Sequence, residues 1–133
     1  MASPVIDFLH KFEGGIVNCG SFRGEGQARG LEVYVGSLGS MQVGAVLKLD
    51  FEGYNPADGD NPIPESKTSL NHFLTSEDIE NGVRLIIATW DRHVKYVRTG
   101  SVRATGTING GSLVTVLSRA SFVLPDGSSC FPT

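Results

Sequence analysis

The sequence predicts a mainly β fold: an antiparallel β-sandwich, jelly roll or barrel of about seven or eight strands, with one short helix near residues 69–81. Three observations predict it. Seventeen of the 133 residues are glycine, about twice the usual share of ~7 %, and they are scattered as they are where tight turns join short strands. Short apolar runs alternate with polar residues. Turn signals recur at intervals of about 8–12 residues.

The chain is predicted to form a single domain, residues 1–133, with an N-terminal arm at residues 1–14 and a contact loop at residues 51–66. Hydrophobic residues make up 40% of the chain and charged residues 19%, which is typical of soluble globular proteins. The N-terminal stretch "MASPVIDFLHKF" lacks the leader of a secretory signal, and no segment approaches the ~18 apolar residues of a membrane span. We therefore expect a virion or cytoplasmic protein without a membrane partner.

The arm is followed by strands with alternating apolar residues. Residues 1–12 fit either a short helical turn, with Ser3 as N-cap and Pro4 in its first position, or an extended segment. The stretch "LEVYVGSL" predicts a half-buried strand with its odd-numbered positions inside. In "MQVGAVLKLDFEG" the side chains predicted to share the buried side are those of Val43, Ala45, Leu47, Leu49 and Phe51.

The contact loop has the sequence "FEGYNPADGDNPIPES", with four acidic residues, three prolines and two glycines. Its Asn-Pro, Asp-Gly and Ile-Pro pairs favour turns or extended chain over a helix or a central strand. Loops longer than ~12–15 residues are usually functional or disordered, and we interpret this one as an ordered contact loop. Calcium binding is the alternative, because oxygen ligands are closely spaced between Asn55 and Asn61. The EF-hand frame is absent, so we assign no metal site and no cofactor.

The helix near residues 69–81 is predicted from its end signals. Its candidate N-caps are Ser66, Ser69 and Thr75, acidic residues occupy the first turn of "TSEDIENG", and Gly82 stands where a helix ends. The last fifty residues carry the strongest β signal. Strands are predicted in "VRLIIATW", "DRHVKYVRTG", "SVRATGTI" and "SLVTVLSRASFVL", with turns at "NGG" and "PDG".

The sequence contains no motif that predicts catalysis. The P-loop, the dinucleotide fingerprint and G-x-S-x-G are all missing, and the three histidines, His10, His72 and His93, are isolated. Asp50 and Glu52 share one face of a strand, as a glycosidase pair would, but a solvated strand face has the same pattern. We therefore predict that the protein is not an enzyme.

The two cysteines, Cys19 and Cys130, stand near opposite ends of the chain. A disulfide between them requires the two ends to meet in the fold. Since no secretory signal is visible, we expect free thiols. Neither cysteine is part of a CxxC or Cys/His pattern, which excludes a typical structural zinc site.

Charge is unevenly distributed along the chain. Residues 50–82 contain eight acidic residues and one lysine, whereas residues 83–119 contain six basic residues and one aspartate. These regions neutralise each other either within the fold or between copies. The net charge of −3 disfavours nucleic acid as a partner, because phosphate binding requires a basic surface. Four basic residues on predicted neighbouring strands form either a ladder that faces an anionic partner or an ordinary exposed face: Arg92, Lys95, Arg98 and Arg103.

A compact, glycine-rich β protein without catalytic motifs resembles, in its general character, the small cement or decoration proteins of phage capsids. The resemblance covers overall pattern and transfers no residue. It implies adhesion to a major capsid protein, as dimers or trimers, and stabilisation of the shell. The predicted function is accordingly structural, through self-association and protein partners. The predicted partner-binding residues are Arg92, Lys95, Arg98, Arg103, Tyr54, Asn55, Asp58 and Asp60.

The alternative function is a lectin-like module that binds carbohydrate or another small ligand. It would use Trp90 and Tyr54 as stacking surfaces together with the acidic loop, with or without calcium. A single tryptophan inside an apolar run is more typical of a core position, which favours the structural function.

Overall fold

The computed structural model describes residues 5–39, 41–54, 61–109 and 115–131. These residues form a mainly β structure with nine strands in two sheets and one short helix. No helix in these ranges has the length and apolar content of a membrane span. In chain order the elements are β1 (Val5–Phe8), β2 (Val17–Asn18), β3 (Phe22–Arg23), β4 (Gly30–Gly36), β5 (Val46–Tyr54), β6 (Pro62–Phe73), α1 (Ser76–Asn81), β7 (Val83–Thr89), β8 (Thr99–Ile108) and β9 (Thr115–Ser121).

The two sheets are arranged like a sandwich. In the smaller sheet, β4 pairs in antiparallel fashion with β1, β3 and β7. The larger sheet has the order β2-β9-β8-β5-β6. All of its pairs are antiparallel except β2 with β9, which run parallel. The predicted mainly β class is confirmed, and the parallel pair departs from the purely antiparallel sandwich that the sequence suggested.

The alternation read from the sequence explains how both sheets contribute to one core. On β4, Val33 and Val35 are buried, and on β5, Leu47 and Phe51 are buried, as predicted. Because successive side chains of a strand point to opposite faces, these residues present one apolar face per sheet. Phe8 of the smaller sheet meets Phe51 of the larger sheet edge to face, with ring centroids 6.4 Å apart. Val43, predicted on this buried side, is instead 66% exposed and lies outside the strand, since β5 begins at Val46.

Most of the predicted contact loop at residues 51–66 belongs to strands. Residues 51–54 end β5, and residues 62–66 begin β6, which lies at the edge of the larger sheet. Proline is tolerated there because an edge strand has one side without ladder hydrogen bonds. The Ser66 hydroxyl accepts from the Gly53 N–H at 2.8 Å and donates to the Ile63 carbonyl at 2.6 Å, bridging an irregularity in the ladder. Asn55, Asp58 and Asp60 lie outside the described residues.

The helix is shorter than the predicted 69–81. Residues 69–73 continue β6: their exposed and half-buried side chains alternate with the period of a strand, and the residues pair with β5. The helix begins after Thr75, whose hydroxyl accepts from the Asp78 N–H at 3.1 Å, while the Asp78 carboxylate accepts from the Thr75 N–H at 3.0 Å. This reciprocal pair is a capping box. Thr75 is therefore the N-cap, and Gly82 ends the helix as predicted.

Two other segments can be compared with their predictions. The strand predicted for residues 91–100 is wrong over residues 91–98: the chain turns there and forms a short 3-10 turn, Val94–Tyr96, with Val94 and Val97 fully buried, and β8 begins at Thr99. Their spacing of three residues suits one turn of such a helix rather than a strand. Within the predicted arm at residues 1–14, Val5–Phe8 is strand β1, so the extended alternative is correct.

The expectation of free thiols is wrong, because Cys19 and Cys130 form a disulfide with their Cα atoms 5.3 Å apart. Cys19 directly follows β2, and β2 pairs with β9 through Val17 and Ala120. This parallel pair places the start of the chain beside its end. The sequence contains no local signal for that pairing, since 111 positions separate the two cysteines.

Candidate functional site

The outer face of the larger sheet carries a cleft of about 350 Å³. Because alternate β5 residues are buried, Asp50 and Glu52 lie on the outward face. The register between β5 and β8 places Asp50 opposite Thr105 and Glu52 opposite Arg103. Strand β6 contributes Lys67 from the other side. We call this site the outer cleft; it is lined by Asp50, Phe51, Glu52, Lys67, Arg103 and Thr105.

One end of the outer cleft is organised around the Glu52 carboxylate. The Tyr54 hydroxyl donates to Glu52 Oε1 at 2.6 Å, and Arg103 Nη2 donates to the same oxygen at 3.2 Å. The Arg103 guanidinium also lies over the Tyr54 ring, 5.0 Å from its centroid. Tyr54 is only 6% exposed. A buried phenol therefore holds both the acid and the base of this ion pair in fixed orientations.

The same contacts change the acidity of Tyr54. The pKa of Tyr54 is raised from 10.0 to about 12, chiefly because of burial; the hydrogen bond to Glu52 and the negative charge of Glu52 also raise this pKa, and the positive charge of Arg103 lowers it. The effects that raise the pKa follow from the cost of placing a phenolate in a buried position beside a carboxylate, and a nearby positive charge reduces that cost.

We expect this phenol to titrate with a midpoint of about 12. The measurement is the ultraviolet phenolate titration of the wild-type protein minus that of Tyr54→Phe. Since the pKa is raised on folding, the stability that the neutral phenol contributes is complete below pH 10 and is lost as the pH rises toward about 12. Glu52→Gln should lower the midpoint, because it removes the neighbouring negative charge. A difference titration centred at pH 10 would contradict the proposed network.

The other end of the outer cleft presents the charged groups of Asp50 and Lys67. Among the described residues, Asp50 and Lys67 make no ion pair and no side-chain hydrogen bond, whereas the Thr105 hydroxyl lies 3.2 Å from that of Thr115. Within the described part of the chain, a carboxylate and an ammonium without a side-chain partner, together with a hydroxyl, thus flank the Glu52–Arg103 pair. Groups of this kind are available to bind a ligand.

The basic ladder predicted from the sequence does not form. Arg92 is exposed in the turn after β7, and the Lys95 ammonium lies 5.5 Å from the centre of the Tyr96 ring. Arg98 donates to the Gly127 carbonyl at 2.7 Å. Of the four basic residues of the predicted ladder, only Arg103 lies on a strand and lines the outer cleft. The ladder required residues 91–98 to be a strand, and they form a turn instead.

The remaining sequence candidates are dispersed or buried. Trp90 is 3% exposed, so its core assignment is confirmed, and the stacking surface proposed from Trp90 and Tyr54 is not available on the surface. His10 Nε2 is hydrogen-bonded to Glu32 Oε1, and His72 Nε2 is hydrogen-bonded to Asp78 Oδ2, each at 2.8 Å. The two pairs lie in separate parts of the fold. Within the described ranges no three His, Cys, Asp or Glu side chains cluster as metal ligands do.

Sequence reasoning did not predict the outer cleft, although it considered the two carboxylates that line it. The spacing of Asp50 and Glu52 correctly places both carboxylates on one strand face, and both line the cleft. Lys67 and Thr105 were missed, because their positions depend on the pairing of β5 with β6 and β8. No local pattern in the sequence specifies that register.

The fold and the site define a mainly β, sandwich-like protein with a charged cleft on the outer face of its larger sheet. Comparisons of the chain with protein-family models, with curated proteins and with solved structures found no match. Function is therefore inferred from the surface of the molecule and from its chemistry.

Proposed function

We propose that this chain is a non-enzymatic structural protein of a larger assembly, and that it acts as a cement or decoration protein that stabilises a capsid shell. The observation that carries the proposal is a pair of apolar side chains left in solvent at one end of the larger sheet. Phe73 is 67% exposed and Val43 is 66% exposed. Aromatic side chains of this kind are the usual anchors of protein interfaces.

Backbone hydrogen bonds hold the two chain segments that carry these side chains next to each other. The Gly44 N–H donates to the Leu74 carbonyl at 2.8 Å, and the Leu74 N–H donates to the Ala45 carbonyl at 2.9 Å. Val46 pairs with Phe73 at the end of the β5–β6 ladder. Because β6 is an edge strand, a partner can approach this apolar end patch, formed by Val43, Val46 and Phe73, without displacing another strand. Burial of exposed apolar surface would favour association.

The disulfide and the two-sheet architecture support the same proposal. Disulfides persist in oxidising surroundings, which include virion surfaces, and are rare in the reducing cytosol. The Cys19–Cys130 bond therefore favours a virion location over a cytoplasmic one. We also propose the jelly roll as the finer class of the fold, since it is a two-sheet architecture common among viral shell proteins. The exposed Arg92 remains a proposed peripheral contact.

We expect the wild-type protein to self-associate as dimers or trimers and the double variant Val43→Ser, Phe73→Ser to sediment as a monomer. Sedimentation velocity at matched concentrations is the measurement, with far-ultraviolet circular dichroism as the check on folding. The matched control is Val5→Ser, Phe12→Ser, which changes the same residue types at positions 49% and 47% exposed. A monomeric wild type, or a double variant that associates as well as the control, would remove the support for an assembly role.

A second candidate function is a carbohydrate- or small-ligand-binding module, and the outer cleft is the observation that favours it. The lectin-like module predicted from the sequence would use Trp90 and Tyr54 as stacking surfaces. Both side chains are buried, so the ligand would instead meet charged and hydroxyl groups on the sheet face.

A further inference from the structure

We infer that the outer cleft binds a neutral, hydroxyl-rich ligand, a short saccharide unit held by Asp50, Glu52, Lys67 and Arg103. This inference rests on the second candidate function and names its site and ligand class. The outer cleft contains acceptors and donors side by side: two carboxylates on β5, one ammonium on β6, and one guanidinium and one hydroxyl on β8.

The charge balance of the outer cleft selects a neutral ligand. Its two carboxylates and two basic groups sum to zero at neutral pH. An anionic ligand would approach Asp50 and Glu52, and a cationic one would approach Lys67 and Arg103, so either would meet like charge. The hydroxyl groups of a sugar donate to carboxylates and accept from basic groups, which forms charge-assisted hydrogen bonds without leaving a new charge unpaired.

The same groups argue against a cation in the outer cleft. Calcium takes about 6–8 oxygen ligands and tolerates no neighbouring ammonium or guanidinium group without loss of affinity. The outer cleft offers two carboxylates, and one of them already accepts from Arg103 at 3.2 Å. Calcium is therefore not part of the proposed ligand set at this site.

Preorganisation and size support a small ligand. Tyr54 fixes Glu52 by a 2.6 Å hydrogen bond and lies beneath Arg103, so two of the four charged groups lose little freedom when a ligand binds. The volume of about 350 Å³ lies near the lower end of the ~300–1,000 Å³ found for small-molecule sites. Leu117, which pairs with Arg103 across β8 and β9 and is 53% exposed, offers an apolar surface beside the charged groups for the C–H face of a sugar ring.

The test is an amide chemical-shift titration of the isotope-labelled full chain with the methyl glycosides of glucose, galactose and mannose. We expect at least one of them to cause saturable shifts centred on residues 50, 52, 67, 103 and 105. The Kd should change little between about 50 mM and about 500 mM salt, because the ligand is uncharged. Asp50→Asn should raise the Kd about ten-fold, by weakening a charge-assisted hydrogen bond. The matched control, Asp91→Asn, makes the same chemical change outside the outer cleft and should leave the Kd unchanged.

Three outcomes would overturn the inference, and they differ in their consequences. Shifts centred away from the outer cleft would refute the site and leave carbohydrate binding standing as the function. Tighter binding of glucuronate or glucosamine than of the neutral glycosides would refute the ligand class. The absence of saturable shifts with every glycoside would refute both the inference and the second candidate function. The assembly proposal is unaffected in each case, because the Val43→Ser, Phe73→Ser variant tests it independently.

Discussion

Loss of the Cys19–Cys130 disulfide is expected to lower the free energy of unfolding by about 4 kcal/mol. The bond joins residues 111 positions apart, so it closes nearly the whole chain into one loop. In the chain-entropy account, such a loop removes more conformations from the unfolded ensemble than a short one does. A loss of this size is a large part of the ~5–15 kcal/mol that stabilises a typical domain.

Urea denaturation of the wild-type protein with and without a reducing agent measures this loss. The control is the double variant Cys19→Ser, Cys130→Ser, whose unfolding curve should match that of the reduced wild type and should not respond to reductant. Equal stability of the oxidised and reduced wild type would show that the bond contributes nothing to the native state. A response of the double variant to reductant would show that the reagent acts elsewhere.

The fold was predictable where a local pattern determines the structure. Leu31, Val33 and Val35 alternate with polar residues, and all three are buried in β4. Pairing between segments that are distant in the sequence was harder to predict. The prolines at positions 62 and 64 suggested a loop, but an edge strand accepts them, and whether a strand lies at an edge depends on its partners. The parallel pairing of β2 with β9, and with it the disulfide, is a property of the whole fold.

In the candidate site, too, local patterns were predictable from the sequence and contacts between distant segments were not. A spacing of two residues placed Asp50 and Glu52 on one face, because side chains in a strand alternate with period two. The meeting of Glu52 with Arg103 spans 51 positions of sequence and depends on the β5–β8 register. Tyr54 was predicted to contact a partner, but it lies buried beneath Arg103. Its role is to orient the ion pair, a role that only the packed structure reveals.

Phe122→Ala is expected to lower the free energy of unfolding by about 3–5 kcal/mol. Phe122 is fully buried. It follows β9 of the larger sheet and contacts Phe22 of the smaller sheet with ring centroids 5.4 Å apart, and Trp90 with centroids 6.4 Å apart. Truncation removes the contacts of the Phe122 ring with Phe22 and Trp90 and leaves a cavity that the neighbouring rings fill only in part.

Chemical denaturation of three variants separates this packing effect from a general intolerance of the chain to change. Phe122→Leu keeps most of the buried volume and should lose less than half as much stability as Phe122→Ala. Phe73→Ala makes the same truncation at a site that is 67% exposed, and it should change stability by no more than about 0.5 kcal/mol in the monomer. If Phe73→Ala were as damaging as Phe122→Ala, the loss of stability would not be specific to the buried contacts of Phe122 with Phe22 and Trp90. The apolar end patch would then stabilise the monomer itself rather than a contact with a partner.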